Sequence, residues 1–459
     1  MSEAVRFDRG LVRRYDGPGP RYTSYPPAPA FHDSFGPAEH AGLLAASARD
    51  GKPLSLYVHI PFCATRCLFC GCNVVISRDR GWGARYLPLL EREMELAAEP
   101  LDAARREVVQ VHWGGGTPTF LPPPDLTALM AAIRRHFRLA ASCEISVEVD
   151  PREASPEHLD ALAAAGVGRL SLGVQDLDPE VQRAVRRVQT VELTQEVVAG
   201  ARERGIRGIN VDLIYGLPHQ TVRGFRATVR EVLSLAPDRL AVFNLAFLPS
   251  RFRHQRALDP AALPGPEEKL TLLEEAIGEI AAAGYVFIGM DHFAQLEDTL
   301  AQALRAGTLT RNFQGYSTHG GTDLVGFGVS SISAVGGGYA QNRRTIPEYR
   351  AAVEAGSLAT ERGLALSAED RLRRDVILGL MCHFALDKGE IEQRHGIDFD
   401  RHFAAELRRL EPLAADGLLT LGRDRLAVTP RGRFVVRNVA MAFDAYLGGQ
   451  TSALYSRTV

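Results

Sequence analysis

An alternation of apolar strand, polar turn and amphipathic helix runs from residue 54 to residue 283 and constrains the fold of this 459-residue chain. The predicted strands are Leu54–Ile60, Val108–Trp113, Cys143–Val149, Gly168–Val174, Gly208–Ile214 and Arg239–Phe247. The helices that follow them are Gly83–Ala98, Pro124–Phe137, Pro156–Ala165, Val191–Arg204, Thr221–Leu235 and Pro266–Ala283. Strands that alternate with helices form parallel βαβ units with right-handed crossovers. The pattern therefore predicts an α/β fold, an incomplete TIM-like (β/α)6 barrel, with a doubly wound sheet as the alternative.

The segments on either side of this alternation have other compositions. Residues 1–50 contain five prolines between positions 18 and 29, which predicts an irregular N-terminal arm without a long helix. Residues 284–345 are rich in glycine, which predicts ordered loops and a short extension over the barrel mouth. Residues 418–421 and 425–428 predict a hairpin within a helical region. We expect an arm (1–50), a barrel with its extension (51–345) and a small, mostly helical, winged-helix-like domain (346–459).

Composition excludes several classes of protein. The formal net charge is −2, so nonspecific binding to nucleic acid is not expected. The first residues lack the apolar region of a signal peptide, and no run approaches about 18 apolar residues. We therefore expect a cytoplasmic protein that does not enter a membrane. Four of the six cysteines lie between positions 63 and 72, which indicates metal binding rather than a disulfide scaffold.

Cys63, Cys67, Cys70 and Cys72 follow directly after the first predicted strand. Thiolates are soft ligands that suit zinc or iron–sulfur clusters. Three of them at this spacing can hold three irons of a four-iron cluster and leave the fourth iron open. A zinc-stapled loop is the alternative, although structural zinc usually takes four ligands from paired knuckles and the sequence has no second CxxC or HxxxH. Because Cys72 as a fourth ligand would close the open iron, we predict that it lies near the cluster without binding it.

Polar residues and glycines gather where the predicted strands end, which is the edge of a parallel α/β fold where sites are built. The Gly114–Gly116 run lets a ligand approach the backbone and predicts a site for the amino group of adenosylmethionine, with a tight turn as the alternative. Glu148, Gln175 and Asp212 interrupt apolar strands and predict hydrogen bonds to ribose hydroxyls and amino groups. For each of these three residues a structural salt bridge, for instance with Arg187 or Arg169, is the alternative.

The CxxxCxxC loop, with Phe69 before its last cysteine, resembles that of the radical S-adenosylmethionine superfamily. Within that superfamily, residues from about 20 to 458 resemble the oxygen-independent coproporphyrinogen III oxidases. The motifs that carry this second resemblance are Arg21-Tyr-Thr-Ser-Tyr-Pro26, Cys70-Gly-Cys72-Asn73, His112-Trp-Gly-Gly-Gly-Thr-Pro-Thr119, Glu148-Val-Asp-Pro-Arg-Glu153, Gly173-Val-Gln-Asp176, Asp212-Leu-Ile-Tyr-Gly-Leu-Pro218, Gly289-Met-Asp-His-Phe-Ala294, Asn312-Phe-Gln-Gly-Tyr316 and Tyr339-Ala-Gln-Asn342.

The resemblance implies a radical reaction. Cys63, Cys67 and Cys70 would bind a 4Fe-4S cluster, and adenosylmethionine would chelate the open iron. Reductive cleavage would give methionine and a 5′-deoxyadenosyl radical, which takes a hydrogen from the β-carbon of a propionate. Loss of CO2 and one electron leaves a vinyl group, and two such events convert coproporphyrinogen III to protoporphyrinogen IX. The resemblance also implies a second adenosylmethionine, an electron donor such as a flavodoxin or ferredoxin, and an unidentified electron acceptor. We expect a monomer.

The same resemblance assigns site residues by motif. The first adenosylmethionine would contact Tyr57, Gly115, Glu148 and Ile332. The second would contact Phe69, Gly116, Thr117, Gln175, Arg187, Asp212 and Ala246. Catalytic or supporting roles near the radical or substrate would fall to Tyr57, His59 and Gln314. The four carboxylates of the substrate need cations, for which the candidates are Arg21, Arg311 and Arg343, and Tyr22 and Tyr25 could close over the macrocycle.

Two relatives of this family remain as alternatives. A haem chaperone would bind haem without oxidising a porphyrinogen, but such proteins typically lack the Arg-Tyr-Thr-Ser-Tyr-Pro arm and the Cys-Gly-Cys continuation that this chain contains. A haem-modifying radical methyltransferase would be recognised by a methylated or ring-opened product.

Overall fold

The computed structural model describes residues 7–447, 455 and 457. Its N-terminal region is more helical than expected. It contains α1 Arg9–Tyr15, α2 Pro37–Asp50, β1 Leu54–Ile60, β2 Phe62–Cys63 and β3 Val75–Ile76. The prediction that residues 1–50 hold no long helix is wrong, because α2 has 14 residues. Pro37 occupies the first helical position, where a missing N–H costs nothing, and Glu39 accepts a hydrogen bond from the Gly36 N–H at 2.8 Å. Residues 1–6 of the predicted arm lie outside the described residues.

The strand and helix alternation is present as predicted, with bounds that differ by a few residues. Its elements are α3 Trp82–Ala98, β4 Glu107–Gly115, α4 Pro123–His136, β5 Arg138–Val149, α5 Pro156–Ala165, β6 Arg169–Gln175, α6 Pro179–Ala184, α7 Val191–Glu203, β7 Gly208–Tyr215, α8 Val222–Ser234, β8 Arg239–Asn244 and α9 Pro266–Ala282. Strands β1, β4, β5, β6, β7 and β8 pair in this order, and every pair is parallel. The predicted α/β class is therefore confirmed.

The glycine-rich region contributes strands where loops were predicted. It contains β9 Val286–Gly289, β10 His292–Ala294, α10 Thr299–Ala306, β11 Thr310–Asn312, β12 Gly315–Ser317, β13 Asp323–Phe327, β14 Ile332–Val335 and β15 Gly338–Asn342, and α11 Ile346–Glu354 and β16 Thr360–Ala365 follow. Strand β13 pairs parallel with β1 as a further parallel strand, and the whole sheet has 12 strands from β16 to β9. These strands were missed because they are too short and too often interrupted by glycine to show a period.

The C-terminal region is mostly helical, as predicted. It contains α12 Ala368–His383, β17 Ala385–Asp387, α13 Lys388–His395, α14 Phe399–His402, α15 Ala404–Ala415, β18 Leu419–Leu421, β19 Arg425–Val428 and α16 Val436–Met441. The predicted hairpin is the antiparallel pair β18 and β19. The structure differs from the predicted boundary at residue 345, because β16 pairs with β15 and so belongs to the large sheet. Residues 448–454, 456, 458 and 459 of the predicted domain lie outside the described residues.

The alternation of side chains along the parallel strands sets polar groups apart from the core. In β7, Ile209, Val211 and Leu213 are fully buried in the main hydrophobic core, whereas Asn210 and Asp212 face the opposite side of the sheet. The strands therefore hold rows of polar side chains at fixed positions. Within the described part of the chain, no helix has the length and apolar character needed to span a membrane.

Candidate active site

Two adjoining cavities lie at the carboxyl ends of the parallel strands. One, the cysteine cavity, has a volume of about 370 Å³, and the other, the Tyr57 cavity, has a volume of about 470 Å³. Cys72, Gly115 and Glu148 line both. The cysteine cavity is also lined by the predicted residues Cys63, Cys67, Phe69, Cys70, Gly116, Gln175, Arg187 and Asp212. The Tyr57 cavity is also lined by the predicted residues Tyr57, His59, Gln314 and Ile332.

Two predicted site residues line neither cavity. Thr117 is buried, and its hydroxyl accepts a hydrogen bond from the Asp150 N–H at 3.0 Å. Ala246 follows β8 and is exposed, and its carbonyl accepts a hydrogen bond from Gln255. The structure thus brings most of the predicted set together around two connected spaces.

The cysteine loop is held beside a buried charge network that the sequence did not reveal. Arg187 and Arg152 place guanidinium nitrogens 3.4 and 3.6 Å from Cys67 Sγ. Both arginines also pair with the Asp150 carboxylate, at 3.0 and 2.6 Å. Burial alone would raise the pKa of Asp150, but the two guanidinium groups outweigh it and lower the pKa. The cations stay fixed by Asp150, so they remain available to stabilise thiolate charge on Cys67.

The other loop cysteines differ in acidity. Burial raises the pKa of Cys63 to about 12. A hydrogen bond from the Cys72 thiol lowers the pKa of Cys70 to about 7 and raises that of Cys72 well above its ordinary value. The Cys72 N–H also donates to Cys70 Sγ at 3.4 Å. Cys72 therefore stabilises negative charge on Cys70, and this role does not require Cys72 to bind iron.

The residues of the cysteine cavity fit an iron–sulfur cluster. Cys63, Cys67 and Cys70 line one space, and a side chain at Gly116 would lie 2.5 Å from the Phe62 carbonyl oxygen and 2.9 Å from Cys63 Sγ. In residues 7–447, 455 and 457 no three His, Cys, Asp or Glu side chains converge closely enough to hold a single metal ion. Thiols that share a cavity without converging on one point suit a cluster of several irons better than one zinc ion.

Each residue of the triple glycine makes room for a different neighbour. A Cβ at Gly114 would lie 2.8 Å from the Glu148 carboxyl group, and one at Gly115 would lie 2.8 Å from the His59 ring. Gly115 also has φ +117°, a conformation that a residue with a side chain rarely adopts. The glycines therefore allow Glu148, His59 and the cysteine loop to approach β4 closely. Gly114 and Gly115 belong to β4 and do not form the tight turn that was the alternative, so the observed consequence of the three glycines is this close approach.

Tyr57 and His59 form a chain of hydrogen bonds to the end of the cysteine loop. The Tyr57 hydroxyl lies 3.0 Å from His59 Nδ1, and His59 Nε2 lies 3.0 Å from the Asn73 carbonyl oxygen. Because a carbonyl oxygen only accepts, Nε2 carries the hydrogen and Nδ1 accepts from Tyr57. Burial lowers the pKa of His59, which favours this neutral ring.

Glu148 is an ionised carboxylate on the wall between the cavities. Its oxygens accept hydrogen bonds from the Gly115 N–H at 3.0 Å and from His112 at 3.4 Å. Burial would raise the pKa of Glu148, but these donors outweigh it and lower the pKa. His112 also stacks on the Tyr57 ring and contacts Ser146 at 2.7 Å. No role was predicted for His112, although its position two residues before Gly114 places it on the same face of β4.

The far wall of the cysteine cavity holds Gln175 and Asp212. Burial raises the pKa of Asp212 to about 6. Hydrogen bonds from Asn210 at 2.8 Å and Ser171 at 3.2 Å act in the opposite direction and lower the pKa. Gln175 has φ +70° at a register shift between β6 and β7. Such backbone conformations are uncommon outside glycine and often occur at functional sites. Neither Glu148 nor Asp212 pairs with Arg187 or Arg169, the two examples given for the alternative of a structural salt bridge, although Glu148 contacts His112. Gln175 is uncharged and forms no salt bridge.

Gln314 offers an unused donor to the Tyr57 cavity. Its Nε2 is buried and has no hydrogen-bond partner among residues 7–447, 455 and 457, while its backbone N–H is held by Asn312 at 2.9 Å. A buried donor without a partner costs free energy, so this nitrogen is suited to a ligand that enters the cavity. Ser330 and Ser331 line the same cavity beside Ile332.

The residues predicted to meet the substrate lie around these cavities rather than in their walls. Arg21 pairs with Asp291, and Arg311 is 4% exposed and stacks on the Tyr316 ring. Arg343 is half-buried, and its carbonyl accepts from the Ser330 N–H. Tyr22 and Tyr25 are buried, and their hydroxyls bond to Asp444 and to the Ala445 N–H. The two tyrosines therefore fix the arm to the C-terminal region instead of covering either cavity.

The chain is similar to known proteins along its whole length. Residues 57–232 match the family described as the radical SAM superfamily, and residues 366–435 match the HemN C-terminal domain. The chain is 50% identical over 462 residues to oxygen-independent coproporphyrinogen III oxidase of Pseudomonas aeruginosa, covering 100% of both chains. It is 48% identical over 445 residues to the Escherichia coli enzyme of the same name, covering 97% of this chain and 96% of that one.

The solved structure of coproporphyrinogen III oxidase (HemN) from Escherichia coli, described as a radical SAM enzyme, superposes with a TM-score of 0.92. The two chains are 46% identical, and the superposition covers 97% of this chain and 100% of that one. At this identity and coverage the chain belongs to the family of oxygen-independent coproporphyrinogen III oxidases within the radical SAM superfamily.

Proposed function

We propose that this chain oxidises coproporphyrinogen III to protoporphyrinogen IX without oxygen, as a step of haem biosynthesis. Two propionate side chains are converted to vinyl groups, and each loses a hydrogen atom, one electron and CO2. The observation that carries the proposal is the pair of cavities that meet at Cys72, Gly115 and Glu148, one of them lined by Cys63 and Cys67. This arrangement supports a cluster site next to a polar binding site.

Cys63, Cys67 and Cys70 would hold a 4Fe-4S cluster, and adenosylmethionine would occupy the adjoining space. When bound, this pair supplies the one-electron chemistry that removes a hydrogen atom from the substrate. Glu148 is ionised and faces both cavities, so it is suited to accept hydrogen bonds from an ammonium group. Tyr57, Gly115 and Ile332 complete the first adenosylmethionine site in this proposal.

The second adenosylmethionine is assigned to the cysteine cavity. We infer that Phe69, Gly116, Gln175, Arg187 and Asp212 contact it, since all of them line that cavity. Thr117 would act through Asp150, which its hydroxyl holds. Ala246 would contribute its backbone at the exposed end of β8.

The residues of the Tyr57 cavity would orient the substrate and exclude water. The neutral His59 ring fixes the Tyr57 hydroxyl, because Nδ1 accepts its hydrogen at 3.0 Å. Gln314 would donate its free Nε2 hydrogens to a polar group of the substrate. A water-poor cavity strengthens such bonds and limits side reactions of reactive species.

The partners follow from the electron balance of the reaction. We infer that a flavodoxin or ferredoxin reduces the cluster and that a separate acceptor removes the electron left on the substrate. The protein would act as a monomer in the cytoplasm, where its cysteines stay reduced. We also propose that the chain divides into an N-terminal arm, the large sheet with its extension as far as β16, and a C-terminal domain.

Mass spectrometry of an anaerobic reaction tests the proposal. The mixture contains the reconstituted protein, dithionite, adenosylmethionine and coproporphyrinogen III. Protoporphyrinogen IX and 5′-deoxyadenosine are expected with the wild type and with Cys143→Ser, since Cys143 lines neither cavity. Both products should be absent with Cys67→Ser. Unchanged porphyrinogen with a verified intact cluster would contradict the proposed reaction.

A further inference from the structure

The connection between β13 and β14 forms one part of the wall of the Tyr57 cavity. It consists of residues 328–331, here called the 328–331 turn, and its Ser330 and Ser331 line the cavity next to Ile332. Ser330 has φ +59°, a backbone conformation that is uncommon for a residue with a side chain. Such a conformation persists only where the surrounding structure holds it. The contacts that hold the turn therefore decide the shape of this wall.

Two buried side chains of α3 contact the 328–331 turn. Tyr86 and Glu93 are seven residues apart, which places them on the same face of the helix. The Tyr86 hydroxyl donates to the His59 carbonyl oxygen at 3.1 Å and accepts from the Val329 N–H at 2.9 Å. The Glu93 carboxylate accepts from the Gly328 N–H at 2.7 Å. Two successive N–H groups of the turn are therefore bound by α3.

The Glu93 carboxylate also holds the turn indirectly, through Asn342. The Asn342 side chain donates to Glu93 and, at 3.0 Å each, to the Gly328 carbonyl oxygen and to Ser331 Oγ. The Tyr349 hydroxyl donates to the same carboxylate at 2.6 Å. Glu93 is 3% exposed and Asn342 is 2% exposed, so water has little access to these contacts. Three donors thus converge on Glu93, and two of them fix the turn.

Stability alone does not explain a buried carboxylate at this position of α3. Burying a charge costs free energy, and apolar side chains of similar volume often give equal or greater stability. The neighbouring buried residues Leu89, Leu90 and Met94 are apolar, as expected for a helix packed on a core. A carboxylate differs from them in that it accepts hydrogen bonds from groups at defined places. The burial of Glu93 is therefore explained by the placement of the turn.

We propose that Glu93 and Tyr86 are positioning residues for adenosylmethionine, because they fix the 328–331 turn against α3 and so set the position of Ile332 in the cavity wall. Neither residue lines the Tyr57 cavity or the cysteine cavity, so both act only through the backbone that they hold. This inference rests on the proposed function, in which Ile332 contacts the first adenosylmethionine.

Hydrogen exchange of the reconstituted protein, before adenosylmethionine is added, tests whether Glu93 holds the turn. In Glu93→Gln an amide nitrogen replaces one carboxylate oxygen, and this nitrogen would face donors without accepting from them. Peptides that contain Gly328 should therefore exchange about tenfold faster than in the wild type, while peptides of β4 stay unchanged. The control is Glu95→Gln, the same change at an exposed position of α3, which should exchange as the wild type does. Wild-type exchange at Gly328 in Glu93→Gln would overturn the proposal.

Equilibrium dialysis with adenosylmethionine tests whether the position of the turn matters for binding. It is carried out above about pH 7, where the Glu93 carboxylate is ionised, and with variants whose iron content equals that of the wild type. Glu93→Gln should bind adenosylmethionine about tenfold more weakly, and Glu95→Gln should bind it as the wild type does. A purely structural role would lower the thermal midpoint of Glu93→Gln and leave its affinity unchanged, and this result would overturn the proposal.

Tyr86→Phe decides the question if Glu93→Gln speeds exchange throughout the protein. The change keeps the ring and removes only the hydroxyl that accepts from the Val329 N–H. The control is Tyr285→Phe, because the Tyr285 hydroxyl also donates to a backbone carbonyl oxygen, that of Pro237, and Tyr285 lines neither cavity. Tyr86→Phe should bind adenosylmethionine roughly fivefold more weakly than Tyr285→Phe. Equal affinities of these two variants would overturn the proposal.

Failure of the positioning role can be told apart from failure of the proposed function. Dialysis and hydrogen exchange involve no porphyrinogen, so a wild type that binds adenosylmethionine but leaves coproporphyrinogen III unchanged contradicts the proposed function alone. A wild type that forms protoporphyrinogen IX, together with wild-type affinity and exchange in Glu93→Gln, contradicts the positioning role alone.

Discussion

The guanidinium of Arg187 contacts both Cys67 and Asp150, at 3.4 Å from Sγ and 3.0 Å from the carboxylate. It also donates to the Gly173 carbonyl oxygen. One side chain thus ties the cysteine loop, the end of β5 and β6 together. Its planar fork allows all these contacts at once, which an ammonium group cannot reproduce.

Arg187→Lys is expected to lower the free energy of unfolding by about 1–3 kcal/mol, because the buried Asp150 carboxylate loses part of its neutralisation. Adenosylmethionine should also bind more weakly. Urea unfolding and equilibrium dialysis measure the two effects. The matched control is Arg183→Lys, which is exposed and should change stability by less than about 0.5 kcal/mol. Equal stability of the two variants would contradict the structural role of Arg187.

Gly116→Ala is expected to prevent normal assembly of the cluster. The new Cβ would lie 2.5 Å from the Phe62 carbonyl oxygen, and that backbone cannot move without displacing Cys63. Iron and sulfide content after reconstitution should fall, and a displacement of about 1 Å should reduce turnover by roughly 10²-fold. Gly168→Ala serves as control, since a Cβ there meets no atom within 4 Å. Full iron content in Gly116→Ala would contradict the prediction, because the cysteine loop would then have rearranged to make room for the new Cβ.

Binding of adenosylmethionine should depend on pH through Asp212. Its pKa is raised by burial to about 6, so the carboxylate becomes protonated, and loses acceptor capacity, as the pH falls through about 6. Affinity measured by calorimetry should therefore increase as the pH rises through this value. The Asp212→Asn variant should bind adenosylmethionine weakly, and its affinity should change little with pH in the same range. A variant that keeps the wild-type dependence would assign the titration to another group.

Glu148→Gln provides a contrast with Asp212. The pKa of Glu148 is lowered, so this carboxylate stays ionised well below the range in which Asp212 titrates. Its replacement should weaken adenosylmethionine binding at every pH near neutrality. The dependence on pH that comes from Asp212 should remain but move to lower pH, because the Glu148 charge is one of the causes that raise the pKa of Asp212. Loss of that dependence in Glu148→Gln would mean that the two carboxylates titrate as a pair.

Glu93 should make the protein less stable as the pH rises from about 4.5 to about 7. Burial raises its pKa from 4.5 to about 7, although Tyr349, Asn342 and the Gly328 N–H donate to its carboxylate. The folded state then holds the proton more tightly than the unfolded state, and ionisation costs up to about 3 kcal/mol over this range. This loss should be complete near pH 7.

Thermal midpoints of wild type and Glu93→Gln test the effect of Glu93. The stability advantage of the wild type over the variant should shrink as the pH rises from about 4.5 to about 7. Glu95→Gln, an exposed change on the same helix, is the control and should show no such trend. A difference that grows with pH would reverse the sign and contradict the assignment.

Much of the fold follows from local patterns. The strands β1 and β4 to β8 and their helices were predicted because buried parallel strands and amphipathic helices each repeat over many residues. Strand β13 was missed because its five residues acquire their role only by pairing with β1, nearly 270 positions earlier, at Leu54–Asp323. The helix at Pro37–Asp50 was missed because the prolines at positions 18 to 29 were taken to exclude a long helix from the whole arm, although none of them lies in this segment. Its own Pro37 stands at the first helical position, where proline is tolerated.

The candidate active site also has one part that the sequence predicted and another that it did not. The spacing of Cys63, Cys67 and Cys70 and the polar residues at strand ends located most of its members, because parallel strands carry their carboxyl ends to one edge. His112 and Asp150 lie within two of the family motifs, but no function was predicted for either residue. Their importance lies in contacts with Tyr57, Glu148 and Arg187, which lie on other segments.

The α/β class, the cysteine loop and the set of polar strand ends could be predicted from the amino-acid sequence, because each is a local pattern of residue types and spacing. Which side chains meet became visible in the folded protein alone. The partners of the three glycines, the pairing of Arg187 with Cys67 and the burial of Tyr22 against Asp444 all join residues far apart in the chain. Such contacts depend on how the segments pack, and packing responds to the whole chain at once.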